Sequence, residues 1–135
     1  MTFADTSFWF ALCERGDRLH STAAALLKSA RRTQKIVVSN HVLGETWTLL
    51  QRRSGHPAGL GFLERLSRLP NVEVVHVDET TERDAWAWLR RHDEREYSFV
   101  DATSFALMRA RGIREALAFD GDFTTAGFVE VRPSR

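Results

Sequence analysis

The sequence contains little cysteine, no long apolar run and no signal-like N-terminus. Cys13 is the only cysteine among the 135 residues, so the chain can build neither a disulfide framework nor a metal site made of thiolates. No apolar segment approaches the roughly 20 residues of a membrane-spanning helix, and the N-terminus lacks a basic segment followed by a long apolar one. We therefore expect a cytoplasmic protein that does not associate with membranes.

The net charge is also small, at +1 when histidine is neutral. The overall charge therefore does not indicate nucleic-acid binding, and an anionic partner would have to be met by a local basic patch. The five histidines lack the H-E-x-x-H spacing of zinc hydrolases, so we expect them to be surface or capping residues. A length of 135 residues fits one domain, which we place at residues 1–135.

Short runs of β-branched residues alternate with segments in which apolar residues recur at helical spacing. This alternation predicts an α/β fold in which a mostly parallel sheet of four to five strands is flanked by helices. We expect strands near residues 1–4, 36–38, 72–77, 116–119 and 128–131. We expect helices near residues 7–14, 17–31, 41–53, 60–69 and 99–111, and another that begins at Thr80 or Thr81. We expect a loop at residues 55–59, and buried positions for Leu49, Leu60 and Leu63.

One carboxylate, Asp101, lies in the first turn of the helix predicted at residues 99–111. Ser98 precedes it by three positions, a spacing typical of a capping box, in which the serine and the acid satisfy free backbone N–H groups at the helix start. Capping alone would explain this aspartate. A role beyond capping requires that other acids lie close to it.

Other acids also lie at or near the ends of predicted buried elements. Asp5 follows the first strand, Glu45 borders the buried face of a helix, and Asp120 and Asp122 follow the fourth strand. Glu45 could instead pair with an arginine or reach water. In open parallel sheets, ligands bind beyond the carboxyl ends of the strands, where the strand order reverses, so these acids can share one edge of the sheet.

Several carboxylates in one pocket repel each other. Two of them about 4 Å apart cost ~4 kcal/mol at an effective dielectric near 20. A divalent cation removes this cost, and Mg²⁺ or Mn²⁺ prefers oxygen ligands of this kind. Two such ions can activate a water and stabilise the leaving oxygen in the hydrolysis of a phosphodiester.

The chain resembles the PIN-domain family, specifically the VapC-type ribonuclease toxins of bacterial toxin–antitoxin pairs. The resemblance rests on the order and spacing of four motifs, which are Ala4-Asp5-Thr6-Ser7, Gly44-Glu45, Ser98-Phe99-Val100-Asp101-Ala102-Thr103-Ser104 and Ala118-Phe119-Asp120-Gly121-Asp122-Phe123. It implies a PIN-like three-layer sandwich and a Mg²⁺-dependent endoribonuclease, with Mn²⁺ as a possible substitute. It also implies an RNA substrate, products with a 5′-phosphate and a 3′-hydroxyl, and inhibition by a small VapB-like antitoxin. We further expect a homodimer.

The resemblance assigns roles to six residues by position. Asp5, Glu45, Asp101 and Asp120 match the catalytic acids, which also hold the metal. Asp122 is a further metal ligand or orients a water, and Thr6 supports the acids by hydrogen bonding.

Two alternatives stay open from the sequence. A housekeeping PIN nuclease would process RNA without an antitoxin, and a non-catalytic interaction module would use the same fold with its acids as helix caps. A phosphoryl-accepting receiver domain is disfavoured, because the sequence has no early acidic pair and no well-placed lysine after a late strand.

Overall fold

Five short strands form one parallel sheet in the part of the chain that the structure describes. This computed structural model describes the backbone of residues 1–134 and their side chains except at positions 31–33, so Arg135 of the predicted domain lies outside the described residues. The strands are β1 (Thr2–Ala4), β2 (Ile36–Ser39), β3 (Val72–Val75), β4 (Glu115–Leu117) and β5 (Val129–Glu130). Every neighbouring pair is parallel, which confirms the predicted parallel sheet. The sheet has five strands, the higher of the two predicted numbers.

Helices cover both faces of this sheet. All residues of β1 and β2 are buried, although successive side chains in a strand point to opposite faces. The helices are α1 (Thr6–Cys13), α2 (His20–Thr33), α3 (Asn40–Ser54), α4 (His56–Ser67), α5 (Glu79–Arg91), α6 (Phe99–Arg111) and α7 (Asp122–Thr125). None of these helices within residues 1–134 is both long and apolar enough to cross a membrane.

The strand order is β3-β2-β1-β4-β5, so the first strand of the chain lies at the centre of the sheet. Phe3 of β1 is in register with Val37 of β2 on one side and with Ala116 of β4 on the other. The order therefore reverses at β1, and a crevice is expected beyond the carboxyl ends of β1 and β4. The segments that begin at Asp5 and Ala118 lie at this edge.

Helix α6 has the bounds that its sequence pattern predicts, but it is more deeply buried than an amphipathic helix. Its residues from Asp101 to Met108 are all buried, and α5 packs along it. Thr103 and Ser104 each donate a hydrogen bond to the carbonyl of Val100, which satisfies their hydroxyl groups in this environment. Phe105 contacts Phe123 edge-to-face with ring centroids 4.9 Å apart.

The predicted loop at residues 55–59 is wrong, because Gly55 alone separates α3 from α4. Pro57 lies in the first turn of α4, where its missing N–H costs no helical hydrogen bond. Gly59 lets α4 approach α3, since a Cβ there would lie 2.8 Å from the Trp47 ring. Proline and glycine therefore begin and pack a helix here instead of forming a loop.

Three smaller expectations also fail. Helix α2 begins at His20 and not near residue 17, because the Asp17 side chain accepts from the Leu19 N–H in the preceding turn. Helix α5 begins earlier than Thr80, since Asp78 is its N-cap and accepts from the Thr81 N–H. The leucines expected to be buried at positions 49, 60 and 63 are 40%, 47% and 43% exposed.

Candidate active site

Four of the predicted acids line one cleft of about 300 Å³ at the carboxyl edge of the sheet. They are Asp5, Glu45, Asp101 and Asp120. Ser7 and Ser98 also line the cleft, and so do Thr6, Phe10 and Leu49. Four segments that are distant in the sequence therefore bring carboxylates to one place.

Asp5 is fixed by its position between β1 and α1. It is the N-cap of α1, and its Oδ2 accepts hydrogen bonds from the Ser7 N–H at 3.2 Å and from Ser7 Oγ at 2.8 Å. Ser7 Oγ in turn accepts from the Phe119 N–H at 3.1 Å. This serine thus joins the end of β1 to the segment after β4, and it holds a carboxylate that is only 2% exposed.

Asp101 forms the predicted capping box with Ser98. The Ser98 N–H donates to Asp101 Oδ2 at 3.0 Å, and the Asp101 N–H donates to Ser98 Oγ at 2.9 Å. These two bonds fix the side chain at the mouth of α6, where it is 9% exposed. Asp101 is therefore a cap and a cleft residue at once.

Asp120 and Asp122 lie in a turn after β4 that Arg95 holds from outside. The Asp122 N–H donates to Asp120 Oδ1 at 3.1 Å, and Gly121 between them has a left-handed φ of 85°. Arg95 donates from Nε to Asp122 Oδ1 at 2.6 Å and from Nη2 to the Asp120 carbonyl at 3.0 Å. Carboxylate oxygens of Asp101, Asp120 and Asp122 all lie within 4.8 Å of one another.

Glu45 forms part of the cleft wall on α3. It is partly buried, as its place on the border of the apolar stripe predicts. No lysine or arginine pairs with it among the side chains that the structure describes. Leu49, one helical turn further along α3, adds an apolar surface to the same wall.

Burial and mutual repulsion raise the proton affinity of these acids. Burial, followed by the negative charge of Asp120, raises the pKa of Asp5 to about 7, although the Ser7 hydrogen bonds oppose this shift. Burial also raises the pKa of Asp101 to about 6 against the hydrogen bond from the Ser98 backbone, with Asp122 and Asp120 adding to the rise. Burial is the main cause of a raised pKa at Asp120 as well. The cleft therefore favours added positive charge, either protons or a cation.

Ser7 supplies the hydroxyl that hydrogen-bonds to Asp5, whereas the family resemblance indicates Thr6 for this role. Thr6 was expected to support the acids, but Ser7 donates the hydrogen bond to Asp5. Thr6 Oγ1 is buried, and no group in the described part of the chain hydrogen-bonds to it. Thr6 lines the cleft, so a partner for this hydroxyl would have to come from the cleft itself.

Sequence reasoning did not identify Ser7 and Arg95 as site residues. Ser7 carries a local signal, since a hydroxyl two residues after an N-cap aspartate can reach its carboxylate. Arg95 carries none, because it lies in a stretch of mixed charge after α5 and reaches the site only through the folded turn at Asp120 and Asp122.

Comparisons with known proteins agree with this geometry. Residues 2–129 match the model of the PIN domain. The chain is 60% identical to the 23S rRNA-specific endonuclease VapC20 of Mycobacterium tuberculosis, in strains CDC 1551 / Oshkosh and H37Rv, over 98% of this chain and 99% of the relative.

Two solved structures share the fold. The crystal structure of M. tuberculosis VapC20, described as a sarcin–ricin loop cleaving toxin, matches with a TM-score of 0.91 and 58% identity over 98% of this chain and 100% of the other. VapBC2 from Rickettsia felis, solved with a promoter DNA fragment, matches with a TM-score of 0.72 over 96% of each chain, and at 10% identity it supports the fold alone. The chain belongs to the PIN-domain family, and within it to the VapC-type ribonuclease toxins.

Proposed function

We propose that this chain is a Mg²⁺-dependent endoribonuclease toxin that cleaves 23S rRNA at the sarcin–ricin loop. The observation that carries the proposal is the convergence of Asp5, Glu45, Asp101 and Asp120 on one cleft. The relative with 60% identity over nearly the whole chain supplies the substrate class, since it is named for the cleavage of 23S rRNA. A substrate in the ribosome also fits the expected cytoplasmic location.

The chemistry of the cleft fits a divalent cation. Its donors are carboxylate oxygens, which Mg²⁺ and Mn²⁺ prefer. The raised pKa values of Asp5 and Asp101 indicate that negative charge is poorly compensated there. The buried Thr6 hydroxyl lacks a hydrogen-bond partner in the described chain and lies at the same cleft, where a water held by the cation could satisfy it.

We assign metal binding to Asp5, Glu45, Asp101 and Asp120, which line the cleft. Asp122 is assigned as a further ligand. A bound cation would supply a nucleophilic water at neutral pH and offset the negative charge that builds up on the phosphate. Ser7 and Ser98 hold the two buried aspartates in fixed positions, so these carboxylates need not reorganise during the reaction.

The rim of the cleft supplies the other contacts that RNA cleavage needs. Arg95 places a guanidinium beside Asp120 and Asp122, where it can bind a phosphate oxygen of the substrate. Phe10 and Leu49 form apolar walls, which lower the local dielectric and strengthen the charge interactions inside.

Helix capping alone does not explain the acids, although both buried aspartates do cap helices. Hydrogen bonds at a helix start lower the pKa of a carboxylate, but burial and the neighbouring acids outweigh them and raise the pKa of Asp5 and of Asp101. Capping also gives no reason for Glu45 and Asp120 to line the same cleft. The non-catalytic alternative accounts for the capping by Asp5 and Asp101 but not for the presence of Glu45 and Asp120 in the same cleft.

We infer an antitoxin of the VapB type as the partner, and a homodimer as the assembly, from the family to which the chain belongs. The exposed leucines at positions 60 and 63 on α4 supply apolar surface that a partner or a second copy can cover. Sedimentation of the purified chain, alone and with the product of an adjacent small gene, distinguishes these assemblies. A chain that stays monomeric and binds no such product would instead favour a housekeeping nuclease.

The test of the enzymatic proposal is cleavage of ribosomal RNA by the purified chain. We expect new 5′-phosphate ends within 23S rRNA in the presence of Mg²⁺, no cleavage with chelator, and no cleavage by Asp101→Asn. The asparagine retains an acceptor for the Ser98 N–H, so the variant should fold with equal or greater thermal stability. Cleavage that persists in chelator, or in Asp101→Asn, would contradict the proposal.

A further inference from the structure

Trp86 is a large apolar side chain that the fold leaves outside the core. It lies on α5 and is 50% exposed, whereas Trp88 on the same helix is 6% exposed and packs against Phe105. Exposure of half an indole ring gains nothing for folding, because apolar area left in water contributes no burial energy. The ring is therefore available for contacts with a molecule outside the chain.

Trp86 belongs to a cluster of three rings. Its indole stacks on the Phe99 ring, with centroids 4.4 Å apart and an interplanar angle of 28°. Phe99 also contacts His41, with ring centroids 5.7 Å apart. We call Trp86, Phe99 and His41 the aromatic platform. Phe99 and His41 are partly buried, so the platform is anchored from below and presents the indole at the surface.

The aromatic platform and the acidic cleft share two helices, α3 and α6. Phe99 directly follows Ser98, which lines the cleft, and it begins the helix that carries Asp101. His41 precedes Glu45 by four positions on α3, a spacing that places both side chains on one face of the helix. The platform thus adjoins the cleft through two separate helices.

Basic side chains flank the exposed indole. Arg83 and Arg90, three positions before and four positions after Trp86, line the same surface hollow, together with Glu79 and Glu82. Arg83 pairs with Glu79 only at 3.8 Å, and both side chains are largely exposed, so this pair is weak and easily exchanged. A guanidinium on each side of an aromatic ring suits a nucleotide, because the ring can stack on the base while the cations bind the adjacent phosphates.

We propose that the aromatic platform holds an unpaired nucleobase of the RNA strand next to the nucleotide that is cleaved. The proposal extends the ribonuclease function above and rests on it. Sequence-specific RNA recognition mostly targets bases that are free to leave the helix and stack on aromatic side chains. Trp86 is then a positioning residue, which sets where the strand lies relative to the acids and does not take part in the chemical step.

Binding of a labelled oligonucleotide tests the proposal without requiring cleavage. The probe is a single-stranded RNA that contains 2-aminopurine, whose fluorescence is quenched when it stacks, and chelator is present throughout. We expect the wild-type chain and Trp86→Phe to quench the probe, and Trp86→Ala to lose the quenching and bind about tenfold more weakly, or ~1.4 kcal/mol. The matched control is Val129→Ala, which removes a similarly exposed apolar side chain from β5 and should behave as wild type.

Cleavage kinetics give a second readout. Trp86→Ala should raise KM for ribosomal RNA by about tenfold and leave kcat within a few-fold, and Trp86→Phe should restore most of the loss. The platform proposal would be overturned if wild type and Trp86→Ala quench the probe equally, or if wild type does not quench it. It would also be overturned if Trp86→Ala leaves KM unchanged.

The two proposals fail in different ways. If the wild-type chain cleaves ribosomal RNA but Trp86→Ala loses neither the quenching nor the affinity for the probe, only the platform proposal is contradicted. A chain that quenches the probe through Trp86 but cuts no RNA in Mg²⁺ would contradict the nuclease proposal alone and leave a nucleotide-stacking surface.

Discussion

Asp5 and Asp78 occupy the same local position in two βα units, yet their pKa values move in opposite directions. Each follows a strand, is the N-cap of the next helix, and accepts a hydrogen bond from a backbone N–H. Hydrogen bonds from Thr81 lower the pKa of the exposed Asp78, as expected for a cap. Burial and the charge of Asp120 raise the pKa of Asp5 to about 7.

The position of each strand in the sheet explains this difference. Asp5 follows β1, the central strand, where the strand order reverses and other acids converge. Asp78 follows β3, an edge strand, where water surrounds the carboxylate. The same local motif is therefore a simple cap at the edge of this fold and part of an acidic cleft at its centre.

The largest expected effect is on catalysis. We expect Asp5→Asn to reduce RNA cleavage by about a thousandfold or more, because it removes a carboxylate that we assign to holding the divalent cation. Asp78→Asn should cleave at the wild-type rate. Initial rates on ribosomal RNA in Mg²⁺ measure both. Similar losses in the two variants would mean that capping, and not the cleft, is what activity requires.

The second effect is on the pH dependence of stability without metal. Because the folded-state pKa of Asp5 and of Asp101 is raised, the folded chain binds more protons than the unfolded chain between about pH 4 and pH 7, so the free energy of unfolding falls as pH rises through this window. Each pKa unit corresponds to about 1.4 kcal/mol. Thermal melts in chelator should therefore show a lower Tm at pH 8 than at pH 5.

Replacing each capping aspartate with asparagine shows whether Asp5 or Asp78 causes this pH dependence of Tm. Asp5→Asn should flatten the fall in Tm between pH 5 and pH 8. Asp78→Asn should retain the fall in Tm between pH 5 and pH 8. The lowered pKa of Asp78 stabilises the folded chain at pH values above the pKa of this residue in the unfolded chain, and this stabilisation is lost only as the pH drops toward and below 4. A wild-type Tm that rises between pH 5 and pH 8 would rule out the assigned shifts.

A divalent cation should reverse the destabilisation caused by the charged cleft. At a concentration one hundred times its Kd, a ligand that binds only the folded chain stabilises it by ~2.7 kcal/mol. We expect Mg²⁺ or Mn²⁺ to raise the Tm of wild type and of Asp78→Asn at pH 8 by several degrees. The rise should be largely lost in Asp5→Asn, and a full rise in that variant would remove Asp5 from the metal site.

The smallest expected effect is on stability, when the hydroxyl group next to each capping aspartate is removed. Ser7→Ala should lower stability by about 1–3 kcal/mol, because it removes a hydrogen bond to Asp5 and leaves the Phe119 N–H without its partner. Thr81→Ala, the corresponding change beside Asp78, should have a smaller effect since water replaces the lost bond. Chemical denaturation of both variants measures the difference, and equal losses would contradict a special role for Ser7.

Local patterns predicted much of the fold and most of the acids in the cleft. The bounds of α6, its capping box and the Ser39 cap of α3 depend on residues a few positions apart, so they can be read from the sequence. Asp5, Asp101 and Asp120 lie at strand or helix ends, and parallel strands bring such ends to one edge of a sheet. Convergence at that edge was therefore predictable without knowing the strand order.

What could not be predicted depends on packing between distant segments. The Gly59 contact with Trp47 converts a loop-like sequence into a helix start, and neither residue signals the other. Leu49 follows the apolar stripe of α3 but faces the cleft and not the core. Arg95 reaches Asp122 across 27 positions, and only the folded turn brings the two together.

The central place of β1 determines when the enzyme can first become active during translation. The ribosome makes β1 before any other strand, but its neighbour β4 begins only at Glu115. The bond from Phe119 to Ser7 closes a span of 112 positions, and contacts this far apart form late in folding. A chain synthesised only as far as α6 therefore carries Asp5 without Asp120, so the acidic cleft can form only after residue 120 has left the ribosome.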